Sequence, residues 1–284
     1  MVYLGLISIL MLILMLIVIL MLMIPSILGI IYLLPKSIIK FLASKYDTIH
    51  FFIPNRSEII STSSSDDITC VKNVLLTFDD VPYDEDSFSK LLDILRTFRE
   101  KAIFFVISSQ INESNSHLLV RAIKEGHCLS NHGVYNHYHC FRSYETVKYE
   151  IEACQNHIRQ IYWNAQKEYP KLHFFRPGGG IMNSTIQQIC SELNMIPLLG
   201  SVYPHDPHIR STDMNLWYIQ YHLEENDILI LHDRIWTPVL LQKLLKWMHK
   251  NNFRTVDYVF LEFAFATDMQ SKNKVNTWLN NTLI

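Results

Sequence analysis

Between residues 73 and 256 the chain alternates short apolar runs with amphipathic stretches, and this alternation limits its fold more than any other feature. "NVLLTF" (73–78), "AIFFVI" (102–107), "HCLSNH" (127–132), "HFF" (173–175), "IPLLGSV" (196–202), "DILILH" (227–232) and "FRTV" (253–256) read as strands. Phe88, Leu91, Leu92, Leu95 and Phe98 recur at helical spacing, and 117–126 reads as a short helix closed by a glycine. Val147, Ile151, Cys154, Ile158 and Ile161 mark a long helix, Ile186, Ile189, Cys190 and Leu193 another, and Thr237 to Lys250 a further one. Strand–helix repetition of this kind predicts an α/β fold with a mainly parallel sheet or barrel. In such folds the working residues gather on loops at the carboxyl ends of the strands.

The termini differ from this middle. Residues 1–34 carry no charged side chain, and Tyr3 to Ile24 is almost wholly apolar. About 20 such residues span a bilayer as a helix, so 1–34 is expected to be a single-pass membrane anchor. Residues 35–70 are expected to be a juxtamembrane segment and Ser-rich linker, 71–266 the folded domain, and 267–284 a polar tail. Lys36, Lys40 and Lys45 after the anchor favour a cytoplasmic domain. Sequons at Asn55, Asn112, Asn183 and Asn280, and the function argued below, favour an extracellular or lumenal one. The net charge of −2 and the lack of a long basic run give no reason to expect a nucleic-acid partner. Five cysteines without CxxC spacing argue against a cysteine-only zinc site.

Titratable groups recur where strands end: Asp79 and Asp80, then Asn131 and His132, Arg176 before three glycines, His205 and Asp206, and His232 with Asp233. Singly, each could be a helix cap, a turn or a structural ion pair. Gathered on one rim they suit metal-assisted hydrolysis. A divalent cation takes a carboxylate and imidazoles and keeps one position open for water. A second carboxylate can accept that water's proton, and a histidine can protonate the leaving group. Backbone N–H groups of a glycine turn can face a developing oxyanion.

At these residues the chain resembles the polysaccharide deacetylases of the NodB-homology group, carbohydrate esterase family 4. "LLTFDDVP" with "LLDILRTFREKAIFFVI", "EGHCLSNH", "FFRPGGG" and "LILHD" are similar to its ordered motifs, over roughly Asn73 to Phe263. "NHGVYNH", "LGSVYPHDP" and "HDRIWT" are similar to a chitin-deacetylase-like subgroup. The resemblance implies a distorted β/α barrel and a divalent metal, zinc first and cobalt or another ion after it. It further implies removal of acetyl groups from an N-acetylated glycan. By the same resemblance Asp79 is the general base, held by Arg176, and Asp80 and His132 are metal ligands. His232 is the general acid, supported by Asp206, and Gly179, Leu229 and Leu231 shape the substrate pocket.

The chain departs from the family at three places. Val81 stands where a glycine follows the paired aspartates, which requires a different turn or strain, since valine disfavours positive φ. Gly179 stands where many members have tyrosine. Asn136 occupies the usual place of the second histidine ligand, so His137 could serve only with a one-residue bulge; His139 is another candidate. The alternative to a deacetylase acting on a chitin-like polymer is a catalytically silent glycan-binding or wall-associated protein that keeps the fold. Tyr135, Tyr138, Tyr203 and Trp236 could stack on sugars in it. A membrane glycolipid is a further candidate substrate.

Overall fold

The structure, a computed structural model, describes residues 11–23, 36–54 and 71–268. The chain divides into two compact units, 1–39 and 40–284. In the first, residues 11–23 are helical. Among the described residues no helix is long and apolar enough to cross a membrane. The rest of the expected anchor, 1–10 and 24–34, lies outside the described residues, as does the tail from 269.

Among the described residues the second unit is built on seven strands, all paired in parallel. These are β1 (Lys72–Val81), β2 (Ile103–Val106), β3 (Cys128–Asn131), β4 (His173–Phe175), β5 (Met195–Pro197), β6 (Ile228–His232) and β7 (Phe253–Thr255). Their order is β5-β4-β3-β2-β1-β6, and β7 pairs with the first residues of β1. Helices α1 (Lys36–Lys45), α2 (Glu85–Phe98), α3 (Ser116–Lys124), α4 (Tyr144–Ala165), α5 (Ser184–Glu192), α6 (Thr212–His222) and α7 (Thr237–Lys250) complete the named elements. The chain leaving β5 reaches β6, where Val202 pairs with Leu229. The sheet is thereby drawn towards closure, consistent with the expected distorted β/α barrel.

Local sequence explains the helix limits. Asp84 caps α2 by accepting from the Ser87 N–H at 2.8 Å, and Arg99 ends it in the left-handed conformation at φ 58°. Leu75, Ile103, Phe105, Phe174 and Ile228 form an apolar plug beneath the strand ends. A helix over 258–268, which periodicity did not predict, adds Leu261, Ala264 and Phe265 to that plug. Helix α6 was likewise not expected. Asn215, Tyr218 and Ile219 form its buried stripe while Met214, Trp217 and Tyr221 face solvent, so apolar residues on both faces hide the period.

The segment expected to be a linker is partly structural. His50 pairs with Leu198, and Phe52 with Asp227. The Ile53 N–H donates to the Asn226 carbonyl at 2.9 Å, and Ile49 and Ile53 are buried. Two isoleucines are too few to show a period, so only the tertiary contacts reveal the role of this segment. Of the remaining expected linker, 55–70 lies outside the described residues.

One buried histidine gives the domain an acid-sensitive point. His127 accepts from the Ala102 N–H through Nδ1, and burial together with Lys101 and Arg121 pushes its pKa down to about 3. Below the ordinary imidazole pKa the unfolded chain takes a proton that the folded chain refuses. Stability should therefore fall as pH drops from about 6.5, by at most about 1.4 kcal/mol per pH unit from this group. Urea midpoints at pH 7, 6 and 5 test it: the parent should lose ground relative to His127→Gln as pH falls. Parallel curves would reject the assignment.

Candidate active site

Strand register decides which side chains share a face. In parallel pairing Thr77 lies beside Ile230, and Asp79 beside His232. These four residues therefore point to the interior. Asp79 is buried against Arg176, whose Nη1 donates to Asp79 Oδ1 at 2.6 Å and to Thr77 Oγ1 at 2.8 Å. The guanidinium also donates from Nε to the Leu198 carbonyl at 2.8 Å and from Nη2 to that of Leu199 at 3.3 Å. It lies 4.0 Å from the centre of the Phe105 ring. Arg176 thus leaves Asp79 one carboxylate oxygen that it does not bond.

Consecutive residues of a regular strand point to opposite faces, yet Asp80 also serves the interior. The register of β1 against β2 shifts between Phe78 and Val81, and Asp80 takes φ 62°. The left-handed conformation that the family pattern suggested at position 81 therefore falls on Asp80, a residue type that tolerates it. Val81 stays buried within the strand.

Asp80 Oδ1 lies 3.5 Å from His132 Nε2. His132 Nδ1 is 2.6 Å from the Arg176 carbonyl. A carbonyl only accepts, so Nδ1 carries a proton and Nε2 is the atom that turns a lone pair, or a titrating proton, towards Asp80. Burial opposes charge on His132, but Asp79 and Asp80 raise its pKa above the ordinary value. Burial likewise opposes charge on Asp80, yet His132, His232 and Arg234 hold its carboxyl well below the usual range. One carboxylate and one correctly tautomerised imidazole fit a shared divalent cation.

His137 is not brought to this pair. Its Nε2 lies 3.1 Å from Glu150 Oε2, and His139 Nε2 lies 3.6 Å from the same oxygen. These three are the one set of three or more His, Cys, Asp or Glu side chains with metal-like spacing among the described residues. The tautomer of one of the two rings is fixed by a backbone bond. His139 Nδ1 accepts from the Gly178 N–H at 2.8 Å, which puts the ring proton on Nε2, the atom facing Glu150. Burial, with His132, His137 and Arg142 nearby, lowers the His139 pKa to about 3, so the ring is neutral. His137 Nε2, His139 Nε2 and Glu150 Oε2 are buried and make no hydrogen bond, so three orphaned polar atoms converge between the 133–142 loop and α4. Gly133 lies against them: a Cβ there would lie 2.4 Å from His139 Nε2.

The remaining expected residues divide. Asp206 Oδ1 is 3.0 Å from His232 Nδ1, and its Oδ2 accepts the His232 backbone N–H at 2.8 Å. Burial opposes charge on His232, but Asp206, Asp79 and Asp80 outweigh it and raise the pKa. Gly179, at φ 73°, lies under the Tyr138 ring, where a Cβ would come within 2.3 Å of two ring carbons. A ring from position 138 thus covers the place where the lost tyrosine would begin. Leu229 and Leu231 correct the expectation. They pair with Leu76 and Phe78 on the face opposite Asp79 and His232, because side chains alternate along a strand. Ile230 is the β6 residue that shares the interior face.

Two neighbours were not anticipated. Tyr203, expected only as a sugar-stacking candidate, has its ring 5.6 Å from that of His232. Arg234 Nη2 donates to Asp80 Oδ2 at 2.5 Å. Nothing in the spacing of "HDRIWT" shows that an arginine two residues past His232 folds back onto the first strand.

Residues 66–197 match the polysaccharide deacetylase family. A peptidoglycan-N-acetylglucosamine deacetylase of Bacillus cereus is 28% identical over 191 residues, covering 65% of this chain and 85% of the relative. Among solved structures, the peptidoglycan deacetylase PdaC of Bacillus subtilis superposes with a TM-score of 0.61 at 22% identity, over 73% of this chain and 98% of that one. A carbohydrate esterase family 4 pseudoenzyme of Bacillus anthracis gives 0.56 at 17% identity, over 65% of this chain and 63% of that one. At such identities the structural likeness speaks for the fold alone, and the family match reaches residue 197, short of Asp206 and His232. The likeness to polysaccharide deacetylases thus lies on residues 66–197, which carry Asp79, Asp80, His132 and Arg176, and the fold agrees with it.

Proposed function

We propose that this protein is a metal-dependent deacetylase that hydrolyses the N-acetyl groups of an N-acetylglucosamine polymer. The observation that carries the reading is the placement of two differently held carboxylates on one interior face: Asp79 clamped by Arg176, and Asp80 beside a lone-pair-bearing His132. When bound, a divalent cation, zinc by donor type, polarises the acetamide carbonyl and acidifies water. Asp79 takes the proton from the attacking water through the oxygen that Arg176 leaves. Asp206 accepts from His232 Nδ1, so Nε2 of the imidazolium delivers the proton to the departing amine. Gly178 gives its N–H to His139 and Gly180 gives its own to Pro177, which leaves the Gly179 N–H for the developing oxyanion. Ile230 packs beside the acetyl methyl.

Chitin-like and peptidoglycan polymers share the N-acetylglucosamine unit that this chemistry addresses. The B. cereus relative's name supports the peptidoglycan choice, and the subgroup motifs support the chitin-like one. The uncharged segment 1–34 supports tethering at a membrane, with the domain on the extracellular or lumenal side where such polymers are met. The test is acetate release from chitin oligomers and from peptidoglycan, with zinc or cobalt supplied. Chelation should remove the activity and zinc should restore it. No acetate from either substrate with either metal would sink the enzyme and leave the silent glycan-binder. That second reading draws on His137 facing Glu150 and on the Arg234–Asp80 pair.

A further inference from the structure

Asp80 is the proposed cation's carboxylate ligand, and Arg234 already holds it. Resting on that reading, we propose that Arg234 is a built-in competitor that keeps cation affinity at the Asp80–His132 site low. The guanidinium is not a passing surface group. Nη2 bonds Asp80 Oδ2 at 2.5 Å, Nη1 donates to the Asp233 carbonyl at 2.7 Å, and the Tyr83 ring lies 4.2 Å from the guanidinium carbon. The Arg234 carbonyl accepts from Ser87 Oγ on α2 at 2.8 Å. Both partners are largely shielded, with side chains 12% and 6% exposed.

A neutral donor on Oδ2 would orient the carboxylate and strengthen binding. A guanidinium also orients it, but shares its charge and repels a dication on the other oxygen. In a shielded site this Coulomb term exceeds the orienting one. Asp79 pairs with Arg176, Asp80 with Arg234 and Asp206 with His232, so with neutral imidazoles one negative charge remains for a dication. No third His, Cys, Asp or Glu joins Asp80 and His132 among the described residues. The site is thus exchangeable, loaded in proportion to free cation rather than permanently filled.

Zinc chloride titrated calorimetrically into the full chain tests this, beside Arg234→Met and Arg234→Gln, each with and without Asp80→Asn. Both single variants should bind zinc about 10–100-fold tighter than the parent, an effect of the size seen for groups bonded to metal ligands. The gain should vanish with Asp80→Asn. Equal or weaker binding in both variants, a gain that survives Asp80→Asn, or no zinc bound by any chain would overturn the proposal. Acetate release is read separately. A parent that releases acetate while the variants bind no tighter loses this inference alone. Tighter variants of a chain that never releases acetate keep it and lose the enzyme.

Discussion

Asp79→Asn is expected to lower acetate release about 10²–10⁴-fold while the chain stays folded, the usual contribution of a positioned general base. Asparagine keeps an oxygen that can accept from Arg176 Nη1, so the clamp in the 2.6 Å contact survives while the proton acceptor is gone. The loss should appear in kcat, with KM for the oligomer little changed, because Asp79 acts on water and not on the sugar. Glycan retention measured on the same variant should match the parent. A variant that retains more than a tenth of the parent's rate would exclude Asp79 as the base. A variant that loses glycan retention together with rate would give Asp79 a role in the shape of the site.

Arg176→Met is expected to be the most destabilising single change in the domain. The side chain is among the largest fully buried ones and bonds to Asp79, Thr77 and the carbonyls of Leu198 and Leu199. Removing it leaves a carboxylate and two carbonyls buried without their partner. Breaking a buried pair this way costs about 3–5 kcal/mol, a fall of about 6–20 °C in Tm for a domain of this size. Urea unfolding should show a lower midpoint at unchanged slope. Adding Asp79→Asn should recover part of the loss, since the two residues form one coupled unit. A double variant whose destabilisation is the plain sum of the two would show that Arg176 acts through packing, not through Asp79.

Legibility in the sequence followed the kind of physics involved. Helix α7 was readable to the residue, because Thr237 opens it, Pro238 follows, and leucines recur on one face. Asp79, Asp80, His132, Arg176, Asp206 and His232 could be gathered beforehand because parallel β/α folds place strand ends on one rim. Parity was less secure: Leu229 and Leu231 were set on the wrong face, and only the pairing of Asp79 with His232 settles that Ile230 points inward. The placement of His137 depended on loop geometry, and a bond from the Gly178 N–H fixed the tautomer of His139. Arg234 and residues 49–53 act across more than a hundred residues of sequence, where no local period exists to reveal them.

The clasp formed by residues 49–53 bears on how this chain can be cut. A shortened chain beginning at residue 71 would leave the backbone at Leu198 and Asp227 without its pairing partners, and would uncover the plug around Phe265, whose ring now meets His50 at 4.6 Å. Unpaired edges of that kind recruit strands from other molecules. Such a fragment should self-associate, whereas one that retains residue 46 onward should stay monomeric in the same buffer. The stretch ahead of the barrel is thus expected to act as an internal stopper against polymerisation.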